Sequence, residues 1–171
     1  MSRTETLSFL EERHHLVRLA TVDADHRPHV VPVWYLPVDG SLLITPRAES
    51  SWLPHLDANP WVAAAVDEGD LPYRKVVVST KAEMVYPPGH DDAWRDEYRR
   101  MSLRYWDEEA VDAYLESTIH IRRALIRVPV RLETPEVQTW RLPVADEDPR
   151  GIWALRYGPV IFGSGASSGS C

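Results

Sequence analysis

Leu19 to Arg47 reads LATVDADHRPHVVPVWYLPVDGSLLITPR, three runs of strand-forming residues separated by two turns. Pro28 to Leu36 is dense in Val, Trp and Tyr, side chains that suit a pleated, half-buried surface. Asp23-Ala24-Asp25-His26 forms the first expected turn. Val38-Asp39-Gly40-Ser41 forms the second, where Asp-Gly is a strong hairpin signal before the chain returns over Ser41 to Thr45. The expectation is an antiparallel meander. Pro32 lies inside its middle run and has no N–H to give to a ladder, which argues for an edge, a bulge or backbone left open to a ligand.

A chain of 171 residues suits one domain with enough length to bury most of its apolar surface. Fourteen prolines against eight glycines suggest many breaks between short elements. No apolar run approaches the roughly 20 residues of a membrane span. The first residues, MSRTETLSFLEERHH, are too charged for a secretory signal, so a cytoplasmic location is expected. With Cys171 the only cysteine, neither an internal disulfide nor a zinc–thiolate cluster is expected. A formal charge of -7 disfavours general binding to nucleic acid, which needs clustered Lys and Arg. Seven Trp and seven Tyr against two Phe is an uncommon bias. Large flat side chains suit a wide core, a dimer interface or a pocket for a flat ligand, and composition does not choose among these.

Ser2 and Glu5 have the spacing of a capping box, and Leu7, Leu10 and His14 share a face, so a covering helix is expected over 3–14. His14 and His15 are adjacent and would point about 100° apart on a helix, which suits surface positions better than a metal site. Ser50 or Ser51 can cap a short helix from Trp52 to Ala58, stopped by Asn59-Pro60. A helix N-terminus following a strand is an anion site, and Arg47 stands beside it. The plainer reading has the serines only capping and Arg47 making a surface pair. Trp61 to Val66 reads as a buried strand and Tyr73 to Val78 as another, running on to Tyr86. After Pro87-Pro88-Gly89, a helical insertion is expected over 91–117, with an aromatic stripe of Trp94, Tyr98, Met101 and Tyr105 facing the rest of the fold or a second subunit. Ala124 to Leu132 and Glu136 to Leu142 read as closing strands. Residues 1–145 are thus expected as a single domain, with 146–171 a C-terminal extension whose end is of low complexity. Gly165-Ala166-Ser167-Ser168-Gly169 matches the nucleophile-elbow pattern of hydrolases, without the strand and helix that the mechanism needs around it. Neither a phosphate loop ending in Gly-Lys-Ser nor a dinucleotide fingerprint is present.

One family gathers these fragments in the same order. Leu19-Ala20-Thr21-Val22-Asp23, Arg27 to Tyr35 (RPHVVPVWY), Ile44-Thr45-Pro46-Arg47, Leu56 to Ala63 (LDANPWVA), Tyr73 to Val78 (YRKVVV) and Trp140 together resemble the pyridoxamine 5'-phosphate oxidase-like family of flavin-binding split barrels, over roughly residues 5 to 142. The family includes FMN- and deazaflavin (coenzyme F-420)-dependent oxidoreductases. The resemblance implies a mainly β fold with peripheral helices, an antiparallel split β-barrel. It also implies a homodimer with a flavin in each of two clefts between subunits. His29, Val31, Pro32 and Val33 would lie along the isoalloxazine ring. Thr45 and Arg47 would approach the ribityl phosphate with help from Ser50 and Ser51, and Arg74 or Lys75 would contact the flavin. Trp34, Tyr35, Trp94, Tyr98 and Trp106 are the candidates for shaping a substrate pocket.

The chain departs from the family pattern at three places, the least of them Thr80, where a Gly is frequent. Asp25-His26 stands where Asp-Gly is common, which requires a positive φ at His26. Trp52 stands where relatives often carry a phosphate-binding Lys, which removes one cation and offers instead a ring to stack on the flavin or to fill the barrel mouth. The cofactor carries the redox chemistry in such proteins, so no catalytic acid or base need be visible. The leading expectation is an FMN- or deazaflavin-dependent oxidoreductase acting on a small organic substrate, without nucleic acid or membrane as partner. The alternative is a non-enzymatic flavin or haem carrier or sensor, with His29, His55 or His120 as a possible axial ligand.

Overall fold

Leu19–Arg47 folds as four strands rather than three, and the four are shared between two sheets. The computed structural model describes residues 1–144 and 147. β1 (Val17–Val22) and β2 (Pro28–Val33) form a hairpin in register from Val17↔Val33 to Val22↔Pro28. The loop between them is organised by one carboxylate, since Asp23 Oδ1 accepts from the amides of Asp25 (2.9 Å) and Arg27 (2.8 Å). His26 takes the positive φ of 61° that the missing glycine demands. At Trp34 and Tyr35 the chain leaves the first ladder. The Tyr35 amide donates to the Tyr105 hydroxyl (3.0 Å) and the Tyr35 hydroxyl to the carbonyl of Leu10 (2.9 Å). β3 (Leu36–Val38) and β4 (Ser41–Ile44) then pair in the second sheet, across a turn with positive φ at both Asp39 and Gly40.

The first sheet runs β2-β1-β5-β6-β9 and the second β3-β4-β8-β7, with every pairing antiparallel. β5 is Trp61–Asp67, β6 Lys75–Lys81, β7 Glu83–Tyr86, β8 Leu125–Pro129 and β9 Val137–Trp140. The single strand expected to Tyr86 is broken at Ala82, whose amide turns to the carbonyl of Pro60 (2.8 Å), so β6 and β7 lie in different sheets. β2 is an outer strand, the place where Pro32 costs no ladder bond. The whole is the mainly β, antiparallel split barrel with peripheral helices that the sequence resemblance implies.

Alternation builds the core. Val17 and Leu19 of β1, Val62, Ala64 and Val66 of β5 and Val76 and Val78 of β6 point inward to meet Leu42, Ile44, Ile126 and Val128 of the second sheet. Each such side chain contributes roughly 1.5–3 kcal/mol by leaving water. β4 is buried on both faces because the insertion covers its outer side. There a 3₁₀ turn (Asp91–Trp94) and α3 (Arg95–Ser102) pack Trp94, Tyr98 and Met101 against Leu36, Leu43 and Leu125. α4 (Glu108–Ser117) follows, its N-terminus capped by Asp107 on the amide of Ala110 (2.9 Å).

Two helices are shorter than expected. α1 (Arg3–Glu11) has its Ser2–Glu5 capping box but stops at Glu11, because the guanidinium of Arg104 takes the carbonyls of Leu10 (2.9 Å), Glu11 (3.1 Å) and Glu12 (2.8 Å). α2 (His55–Ala58) begins three residues after Trp52, and the preceding turns are of the i→i+3 kind, Leu53 to Ser50 (3.0 Å) and His55 to Trp52 (3.2 Å). Neither serine caps it, so the long capped helix expected from Trp52 is not formed.

The outer face of the first sheet carries mostly small and apolar residues in register, with Arg18 and Gln138 among them. One row is Val30, Ala20, Ala63 and Ser79, the next Pro32, Arg18, Ala65, Val77 and Gln138. Val30 is 66% exposed and Trp61, on the same face, 49%. No helix among the described residues is long and apolar enough to cross a membrane. The serine motif at 165–169, like the rest of the extension apart from Glu147, lies outside the described residues.

Candidate functional site

Where β2 ends, where β4 ends and where the insertion folds over them, a cleft of about 530 Å³ opens. Its floor comes from Val31, Pro32, Val33 and Trp34, its far wall from Ile44, Thr45, Pro46, Arg47, Ser50 and Trp52, and its roof from Tyr98, Trp106, Tyr114 and Arg123. The volume lies within the roughly 300–1,000 Å³ of small-molecule sites.

One end is aromatic. Trp34 lies flat on Tyr105, with centroids 4.7 Å apart and planes 7° from parallel. Trp106 meets Trp34 edge-on at 4.8 Å, and Tyr114 meets Trp106 edge-on at 4.9 Å. These rings come from the β2–β3 connection, the α3–α4 loop and α4, so the end exists only because the insertion closes on the barrel.

The other end is cationic. Residues 47 and 123 face each other across an isolated antiparallel bridge, supported by the amides of Ala48 and Ala124 on the carbonyls of Arg122 and Pro46 (2.9 Å each). Arg47 is exposed, whereas Arg123 is only 6% exposed. The Arg123 guanidinium lies 4.6 Å over the Tyr98 ring and donates to the Thr45 carbonyl (3.4 Å) and the Tyr114 hydroxyl (3.1 Å). Its backbone amide is held by Asp91 (2.8 Å). Tyr98 donates its own hydroxyl to Tyr114 (3.1 Å). Burial pushes the Tyr98 phenol well above its ordinary value, and the proton it gives to Tyr114 adds to that. Burial acts on Tyr114 in the same direction, but the bond from Tyr98 and the guanidiniums of Arg123 and Arg47 outweigh it and bring that phenol below its ordinary value. Two positive charges and a phenol held below its ordinary value thus converge on one corner.

Of the residues singled out in the sequence, Val31, Pro32, Val33, Thr45, Arg47, Ser50, Trp52, Trp34, Tyr98 and Trp106 all meet in this cleft. Trp52 is 7% exposed and packs into the main core with one side on the cleft, so it fills the barrel mouth. Others are placed elsewhere. Tyr35 is fully buried with its hydroxyl spent on Leu10, and Trp94 is buried under α3, so neither shapes the pocket. Ser51 is exposed outside the lining. His29 lies outside the cleft lining, 3.4 Å from Asp23 and with its ring 4.6 Å from that of His55. His55 is also bonded to Thr21 (2.9 Å), and His120 is exposed.

Arg74 and Lys75 lie away from the cleft lining at the start of β6. Arg74 lies over Phe9 and binds both Glu12 (2.6 and 2.8 Å) and Glu68 (2.6 and 2.9 Å), while Lys75 lies 5.1 Å over the Trp140 ring. The hydrogen bonds from Arg74 hold both carboxyls below the usual range and raise the guanidinium. Glu12, His15 and Glu68 are close enough to suggest a metal cluster, but the guanidinium already occupies the place of a cation.

Tyr114 and Arg123 are the functional candidates that sequence reasoning did not find. Arg123 enters a strand in the run Ile121-Arg122-Arg123-Ala124, where a basic pair reads as a solvated strand end. The bridge to residue 47, Asp91 on its amide and the Tyr98 ring beneath its guanidinium turn it inward.

A family model described as pyridoxamine 5'-phosphate oxidase matches residues 3–131. Among solved structures, a conserved hypothetical protein from Mycobacterium tuberculosis superposes with a TM-score of 0.61 at 23% identity, covering 86% of this chain and 92% of that one. An F420 reductase gives 0.53 at 25% identity, covering 72% and 92%. The heme storage protein HutZ from Vibrio cholerae gives 0.59 at 19% identity, covering 82% and 94%. No curated protein matches the chain.

Proposed function

The chain belongs to the pyridoxamine 5'-phosphate oxidase family, and we propose that within it the protein is a homodimeric oxidoreductase that holds FMN, or a deazaflavin of the coenzyme F-420 type, in the cleft under the insertion. The observation that carries this reading is the polarity of the cleft, with flat aromatic walls at one end and two arginines at the other. The donor set fits the cofactor. A phosphate is matched by guanidiniums, hydroxyls and little competing carboxylate, and Arg47, Arg123, Ser50 and Thr45 supply these. Arg123 restores the cation that Trp52 displaces in sequence. A flat ring is matched by Val31, Val33 and Trp34, with the outward backbone groups of the edge strand β2 free to address its polar rim.

The bound ring would supply hydride transfer to or from a small organic substrate. The chain's own residues bind, orient and keep water out. Trp106 and Trp34 shield the aromatic end, and Tyr98 and Arg123 lock the roof to the end of β4. A second copy of the chain on the outer face of the first sheet would cover Val30, Ala63 and Trp61 and complete the open side of the cleft near Pro32.

A second reading, a non-enzymatic carrier or sensor of flavin or haem on the same fold, is favoured by one observation. His29 presents a half-exposed imidazole two residues along β2 from the cleft floor. The absorption spectrum of the purified protein separates the cases, with flavin bands, the deazaflavin change on reduction, or a Soret band as the three outcomes. A colourless protein whose melting temperature is moved by neither FMN nor the deazaflavin would remove the leading reading. Turnover of reduced cofactor separates enzyme from carrier.

A further inference from the structure

The hydroxyl of Tyr114 is saturated as an acceptor. It receives Tyr98 Oη and Arg123 Nη2, both at 3.1 Å, and an oxygen with two lone pairs has no third to offer. Its own hydrogen has no acceptor among the described residues, and the ring lines the cleft, so that hydrogen is directed at whatever the cleft holds. Arg47 and Arg123 flank the same point with two full positive charges.

We propose that Tyr114, contributed by the insertion, is the third donor of an anion seat with Arg47 and Arg123, and that the seat selects a terminal phosphate monoester over a phosphodiester. The proposal rests on the cofactor reading above and refines it. A monoester presents three terminal oxygens and a charge approaching -2 at neutral pH, since its second pKa is about 6. It matches three kinds of donor and two guanidiniums. A diester presents two free oxygens and a single charge, so it leaves one donor unused and one positive charge unbalanced in a half-enclosed site. FMN carries the first group and the deazaflavin coenzyme the second, whereas FAD carries a bridged diphosphate that offers only two free oxygens and one charge at each phosphorus. Tyr114 thus acts as a specificity-determining residue that chooses among cofactors sharing one ring-binding floor.

The test compares wild type with Tyr114→Phe, which keeps the ring and its edge contact with Trp106. Titration calorimetry with FMN, riboflavin, FAD and the deazaflavin is expected to rank FMN tightest. The variant is expected to lose roughly tenfold or more for FMN, the scale of a hydrogen bond to a charged group, with riboflavin unchanged. FAD or deazaflavin binding as tightly as FMN, or a variant that binds FMN as well as wild type, overturns the selectivity while leaving the flavin reading standing. The seat is also read without any ring, by following phenolate absorbance against pH in inorganic phosphate and in dimethyl phosphate. An anion accepting the Tyr114 proton raises that phenol's titration. Inorganic phosphate is expected to shift one titrating phenol upward in wild type and not in the variant, with a smaller shift in dimethyl phosphate. Equal shifts with both anions, or none, overturn the seat whether or not a flavin binds.

Discussion

Arg47 and Arg123 face each other as cross-strand partners, two guanidiniums where a sheet would ordinarily place unlike charges or apolar side chains. Like charges directly opposite cost stability on the scale of a cross-strand pair, about 0.2–1 kcal/mol. Arg47→Ala is therefore expected to leave the melting temperature unchanged or slightly raised while weakening FMN binding at least tenfold. A variant that loses stability and keeps its affinity would make Arg47 a structural residue and take the phosphate away from this corner.

The opposite behaviour is expected of Arg74. It bridges Glu12 and Glu68, so Arg74→Ala leaves two partly buried carboxylates without their donor and should cost about 1–3 kcal/mol. FMN affinity should not change, because the side chain is committed away from the cleft. The same cluster sets an acid limit. Both carboxyls are depressed in the folded state, so their contribution is fully present above the ordinary carboxylate value of 4.5 and is lost as pH falls below it. Urea midpoints from pH 7 to 3 should fall more steeply below that point in wild type than in the variant.

Trp52 and Trp106 separate packing from binding. Trp52 belongs to the main core, and its replacement by Ala should cost about 3–5 kcal/mol. Trp106 is 39% exposed, so Trp106→Ala should cost much less while exposing the aromatic end of the cleft. Chemical denaturation and ligand titration on both variants give the comparison, and similar stability losses would mean that Trp106 is a core residue.

The outer face of the first sheet predicts an oligomer. Ala63 sits between Ala20 and Ser79, two strands in from Val30, where a long charged side chain has no room against a second copy. Ala63→Arg should convert a dimer to a folded monomer, read by sedimentation together with an unchanged far-UV spectrum. An unchanged mass would place the interface elsewhere.

The sequence carried the strands well and their distribution poorly. β1, β2 and β4 were legible from Val, Ile and the Asp-Gly turn, because those are local signals. Trp34 and Tyr35 look like strand as much as their neighbours do. What removes them from the ladder is Tyr105, 70 residues away, whose hydroxyl takes the Tyr35 amide. The cleft was legible where backbone forms it, from Val31 to Trp34 and from Thr45 to Arg47. Arg74 lies away from this cleft because Glu12, just past the covering helix, and Glu68, just past β5, hold it, and Arg123 is not legible because distant partners, residue 47 across the bridge and Asp91 on its amide, turn it inward.

The insertion binds back to the chain's beginning through neighbouring residues. Arg104 holds the last carbonyls of α1, and Tyr105 accepts the Tyr35 amide while donating to the carbonyl of His15 (2.7 Å). The segment roofing the cleft is therefore not an exchangeable cassette. A roof transplanted from another chain would have to bring an arginine and a tyrosine at these two positions or leave the N-terminal helix unlatched. Diversification of the pocket is thereby channelled into α4 and its flanks, where Trp106 and Tyr114 can change without disturbing how the barrel closes.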